Sequence, residues 1–334
     1  MSGEYRLIDL ICETPARNLS KWDWNRLSSN PNITMDDVID NIYFKWNKIE
    51  LLKNPNITWK NIMENKDYFN INLSDFSANP NMTIDIINSH PEIKWDYSLL
   101  SSNPAISLKY IENNIDKNWN WQEVSCNPNL TFEFIIENKQ KNFSWICISA
   151  NKCIKWHHII ENINLPWCWS GISFNKNITW SIVKNNLNYP WDWKSLSSNP
   201  NITFNIIQNN PQYDWTPYYV SQNDNITLDI IKSNPQYDWD YHFLNLNKNI
   251  TPKIIKNNSQ FGWDYYILSQ NSMSEPYRNN EYNINFSLSR QDDTFIFINS
   301  IYSELIETAW QYNRVVDWCF DNEQKQNIKR FIIT

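Results

Sequence analysis

Glycine is almost missing from this chain, with 3 residues in 334. That scarcity disfavours tight β-turns and phosphate-cradling loops. Histidine is nearly as rare, occurring only as His90, His157, His158 and His242. Basic residues are outnumbered, 29 Lys and Arg against 36 Asp and Glu, for a net charge of −7 and a pI near 5.2. A nucleic-acid binder usually shows a basic stripe, so no nucleic-acid partner is expected. Runs of five or six like charges are absent, and no apolar stretch approaches the roughly 18 residues of a membrane span. The opening MSGEYRLIDLICETPAR carries early acids and no long apolar run, which predicts a protein that is not secreted. Six cysteines form no CxxC pair and read as reduced thiols filling apolar space. No nucleophile elbow, P-loop or HExxH motif occurs, so the chain reads as a non-enzyme with no catalytic residue and no cofactor.

What is abundant is asparagine, the commonest residue, and much of it is periodic. Asn30, Asn54, Asn79, Asn103, Asn127, Asn151, Asn175, Asn199, Asn223, Asn247 and Asn271 mark eleven units of a 24-residue period, with a single 25-residue interval. Pro usually follows. A fixed period of this size means a stacked array that presents an extended surface.

Taking each marker Asn as position zero, −8 is aromatic in ten units (Trp22, Trp46, Trp95, Trp119, Phe143, Trp167, Trp191, Trp215, Trp239, Trp263) and Ile71 in the other. Position −7 is Asp, Asn, Ser or Thr except at Cys168, which predicts a helix N-cap. Position −3 is always apolar, and −6 is often aromatic, so the two share a helix face. The marker Asn suits a left-handed residue ending that helix, and Pro forbids continuation. A first helix of about two turns results. Position +3 is apolar and +4 is Thr or Ser in nine units, a second N-cap with a hydrophobic staple. Apolar residues recur at +5 and +8, and Asn at +11 stops the second helix, with His90 the exception.

Two capped helices in each 24-residue unit define an αα-hairpin. Helices this short are unstable alone, so neighbouring units must supply the packing. The expected fold is an all-α solenoid of eleven helix-hairpin repeats over residues 22–274, with an N-terminal cap at 1–21 and a helical tail at 275–334. With helices roughly 8–10 Å apart, it would form a rod or arc of order 100 Å. The leucine-rich repeat, suggested by LSSNPNIT at 196–203, is set aside because the apolar residue follows Asn by three positions and because paired helix caps would go unexplained.

The tail begins with a polar connector, YRNNEYNINFSLSRQDDT, and continues as amphipathic sequence. Units of the form WDWxxLSxNPNIT, followed by Ala309, Trp310, Arg314, Val315, Trp318 and Cys319 in an AWxxxRVxxWC tail, resemble a tandem-repeat family of giant, mimivirus-like DNA viruses. Gln311 and Tyr312 depart from the His-Pro of family tails. The resemblance implies a viral protein of the host cytoplasm or the virion, and carries no activity with it.

Other readings are weaker than their structural counterparts. Cys147, Cys153, His157 and His158 lie close together in sequence, but their spacing fits no common zinc pattern, and no metal is expected. Eight Asn-x-Thr triplets are by-products of turn and cap. The 19 tryptophans fall mostly at inward positions, which favours core packing over base stacking. At +9 and +10 the early units carry Asp40, Glu64, Glu112, Glu137 and Glu161, and the later ones Lys184, Lys232 and Lys256. An edge divided in this way suits a charge-matched protein partner or self-association. The sequence therefore reads as a protein–protein interaction scaffold. The alternatives are a structural virion component and a ubiquitin-ligase-type substrate adaptor. No partner-binding residue can be named from sequence.

Overall fold

A computed structural model describes residues 5–273 of the chain. The connector and tail expected at 275–334, Cys319 among them, lie outside these residues. Every regular element described is a short helix. Unit 8 is representative, with a first helix at Trp193–Ser198 and a second at Phe204–Asn209. At four to six residues, the first helices are shorter than the two turns expected.

The caps form as the residue types dictate. The Asp23, Asn47, Asp96, Asn120, Asp240 and Asp264 side chains each accept two backbone N–H bonds at the start of a first helix. Thr216 and Cys168 make no side-chain cap bond. All nine Thr or Ser residues at +4 cap their second helices. The residues at −3 and +3 form the core, as in Leu27, Val124 and Leu196 with Ile33, Ile106 and Ile202, all fully buried; units 8 to 10 contribute a second buried cluster from Ile202 to Leu244.

The marker Asn acts differently from the expectation. It is extended, not left-handed: Asn54 has φ −70° and ψ 127°, and Asn199 φ −66° and ψ 128°. Its side chain bonds instead. Asn199 Nδ2 donates to the carbonyls of Ser173 and Asn175 in the preceding unit, at 2.8 and 3.1 Å, while its Oδ1 accepts from the Asn201 N–H. The pattern recurs around the array, so the buried Asn residues form a ladder that bonds each unit to the one before. A buried carbonyl without a partner is costly, and a side-chain amide supplies the two donated bonds and the one accepted bond made here. Serine at −2 adds a second tie. Ser77, Ser101 and Ser173 hydroxyls accept the N–H of position −7 in the next unit.

Tryptophan at −8 also has a polar task. Its indole Nε1 donates to the carbonyl of the +11 residue just before it, as Trp191 does to Asn186 and Trp239 to Asn234, at 2.8 and 2.9 Å. The +11 Asn donates its own Nδ2 one turn back, Asn186 to the Ile182 carbonyl and Asn234 to that of Ile230. It too is not left-handed, with φ near −140° at Asn186.

The largest departure from expectation concerns the ends. Residues 5–273 form neither rod nor arc, because the array closes on itself. Asn30 of unit 1 donates to the carbonyls of Ser269 and Asn271 in unit 11, at 2.8 and 3.1 Å. The Asp23 N–H donates to Ser269 Oγ, and Asn32 Nδ2 to the Ser272 carbonyl. These are the bonds that units such as 8 and 10 make to their predecessors.

The N-terminal helix, Leu7–Glu13, completes the closure. Unit 11 has a first helix, Tyr265–Leu268, and the N-terminal helix takes the place of its second. That helix packs against Pro252–Asn257, the second helix of unit 10. On its other side Arg6 pairs with Asp37, and Cys12 bonds Asn41, both in unit 1. Thr14 Oγ1 donates one turn back to the Leu10 carbonyl and accepts from Trp22 Nε1, so it serves as the +11 residue. Ile11, fully buried, serves as +8. Residues 6–14 therefore supply half of a unit and not a cap over an open end.

Consecutive first helices pack directly on one another, whereas consecutive second helices approach less closely. In a closed ring the tighter spacing lies nearer the axis, so first helices form the inner wall and second helices the outer. Eleven steps of about 9 Å make the ~100 Å expected as a length the circumference of the inner wall.

Candidate interaction surface

The ring is regular enough that each departure from the repeat can be located and explained. The Cys–His group does not converge. His158 Nδ1 accepts the Lys155 N–H at 3.3 Å, replacing the Thr cap absent from that unit, and its ring stacks on Phe132 at 4.4 Å. Burial, with His157 adjacent, lowers the His158 pKa. Cys147 is buried beside Cys126, whose thiol is pushed far above the ordinary range by its hydrogen bond with Cys147 and by burial. Among the described residues no three His, Cys, Asp or Glu side chains are grouped so as to hold a metal. The aromatic residues at −8 are buried at Trp22, Trp46, Trp119, Phe143 and Trp191, as periodicity placed them.

The divided charge lies on the outer wall. Asp40, Glu64, Glu112, Glu137 and Glu161, then Lys184, Lys232 and Lys256, are all exposed at corresponding positions of successive second helices. Closure adds Glu13, the +10 residue of the composite unit, to the acidic arc. Glu13 meets Lys256 at 2.8 Å where the acidic and basic arcs join. Between the charges the same wall exposes large apolar side chains. Ile39, Ile136 and Ile160 stand at +9, and Ile42, Ile115, Ile163 and Leu187 at +12. Exposed isoleucine repeating at one position of a helix, next to charge, is the pattern of a contact surface.

Unit 3 differs from the rest, beginning with the 25-residue interval. The extra residue makes a turn of helix, Lys66–Phe69, closed by Asn70 in the left-handed conformation at φ 35°. The usual aromatic at −8 is Ile71. In most units the −6 ring is covered by the +14 side chain: Trp24 by Phe44, Trp169 by Tyr189, and Trp193 by Tyr213 at 4.2 Å and 10°. Lysine covers it at Lys117 over Tyr97 and Lys141 over Trp121. In unit 3 the corresponding pair is Leu73 and Ile93. A cavity of about 570 Å³, partly open to solvent, lies there, bordered by Ile71, Leu73 and Ile93 with Trp59, Phe69 and His90. Ile71 and the long interval are visible in the sequence, but the aliphatic pair signifies nothing until the −6/+14 stack is seen.

No helix among the described residues is long and apolar enough to cross a membrane. No protein-family model, no curated protein and no solved structure matches the chain.

Proposed function

We propose that this ring is a non-catalytic protein-interaction scaffold whose partner binds the outer wall of second helices. The observation that carries the reading is the recurrence of exposed isoleucine at +9 and +12 beside charges that change sign around the ring. Each of these side chains leaves a third or more of its surface in water, and burying that surface against a partner would be worth about 25 cal/mol per Å². Flanking charge supplies orientation more than affinity. The likeness of the units and tail to giant-virus repeats supports a place in the infected cell or the particle.

The test compares the full chain with the double variant Ile136→Asp and Ile160→Asp in affinity capture followed by mass spectrometry. Partners of the outer wall should be lost from the variant while it keeps a cooperative thermal transition. Identical capture by the two proteins would overturn the assignment.

A second reading, lateral packing of copies in a structural assembly, is favoured by the same divided charge, because one copy's acidic arc complements another's basic arc. It requires oligomers that dissociate as salt rises. Light scattering that shows one mass at low and high ionic strength would remove it. The adaptor alternative draws no support from the N-terminus, where residues 7–13 are engaged in completing unit 11.

A further inference from the structure

We propose that the cavity of unit 3 is a binding site for a small planar aromatic molecule with one or two fused rings. The argument rests on comparison between units of one chain. At −8, −6 and +14 the other units mostly place rings, or a ring covered by lysine, and unit 3 places Ile71, Leu73 and Ile93. All three border the same cavity of about 570 Å³. Its size lies within the range of small-molecule sites, and its lining is mainly apolar with a few polar groups, as such sites require.

The walls are suited to a flat ring. Trp59 lines one side, fixed by contacts with Phe76 at 5.2 Å, His90 at 4.9 Å and Trp95 at 5.8 Å. Phe69, the buried last residue of the inserted turn, lines another. His90 stands where other units carry Asn, and its Nδ1 is 3.0 Å from Glu92 Oε1. Lys66, Asn70, Asn72 and Glu92 supply polar atoms around the cavity. A ring with one N–H donor would meet aromatic faces inside and an acceptor, the Glu92 carboxylate, at the polar side. In unit 8 the chain fills the corresponding stack itself, with Trp193 on Tyr213.

The probe is 5-fluoroindole, titrated into the full chain and followed by fluorine NMR. Saturable line broadening is expected. The variant Leu73→Trp with Ile93→Tyr installs the unit 8 pair, and should abolish binding while raising the melting temperature. Ile71→Trp, which restores the −8 residue, gives an independent filled variant should the double variant fail to fold. A third variant, Lys232→Glu, lies on the outer wall of unit 9 and should bind as the parent does. Absence of saturable binding to the parent, or equal binding by a folded filled variant, overturns the proposal.

Discussion

At the scale of single residues, the marker Asn decides whether units adhere. Asn199 has no accessible surface and satisfies two carbonyls of the preceding unit and one N–H of its own. Asn199→Ala should cost about 2–4 kcal/mol, because it strands buried groups on both sides of a unit boundary. Asn199→Asp should cost more, since a carboxylate oxygen would face the same carbonyls. Denaturant melts that rank Ala below Asp in stability would contradict the ladder. A second pair separates inside from outside. Leu196 is fully buried and Lys232 exposed, so Leu196→Asp should destabilise by on the order of 4 kcal/mol or more, and Lys232→Glu by less than about 0.5. Equal melting shifts would refute the assignment of faces. The positions of these residues were legible from periodicity, but the chemistry of the Asn was not. An Asn before Pro at a helix end reads the same whether its backbone turns left-handed or its side chain bonds a neighbouring unit. Only the partner's location, one unit back, distinguishes the two.

At the scale of elements, the sequence was most informative where the physics is local. N-caps at −7 and +4 form because Asp, Asn, Ser and Thr reach the first free N–H groups with no help from tertiary structure. What depends on contact between helices was hidden. The −8 indole is one case, since an aromatic position reads as packing and not as a donor. Trp191→Phe keeps most of the ring but leaves the Asn186 carbonyl without its 2.8 Å donor. It should cost about 1 kcal/mol, read as a lower melting temperature. The aliphatic pair Leu73 and Ile93 is another case, because its consequence depends on what +14 covers in other units. Gly171 is a third. A Cβ there would lie 2.8 Å from the Ile146 carbonyl oxygen and 2.9 Å from Ser149 Cβ. It sits where the first helices of units 6 and 7 approach most closely, so Gly171→Ala should force them apart at a cost of about 1–3 kcal/mol.

At the scale of the whole ring, closure removes the exposed end units that open arrays must cap. Nothing in a 24-residue period states how far each unit turns relative to the last, so closure was not legible, and the N-terminal helix read as a cap. The seam gives two expected outcomes. Glu13 has its pKa lowered by the hydrogen bonds from Lys256 and then Tyr5. Its carboxylate therefore contributes to closure above the ordinary Glu value, and the contribution is lost as pH falls through the lowered one. Protection factors at the seam, taken relative to the intrinsic exchange rate at each pH, should fall with acid more in the parent than in Glu13→Gln, which has no such group to titrate. Deleting residues 1–14 tests the composite unit directly. It removes Leu7, Ile8, Leu10 and Ile11 from the core and exposes the second helices of units 1 and 10 on their facing sides. The bonds of Asn30 and Asp23 to unit 11 would remain without their outer support. Exchange should then rise together at 35–41 and 252–258, far apart in sequence, while units 5 and 6 opposite the seam stay protected. A cap over one open end would instead release only 35–41, and protection retained at 252–258 would show that the two ends do not meet.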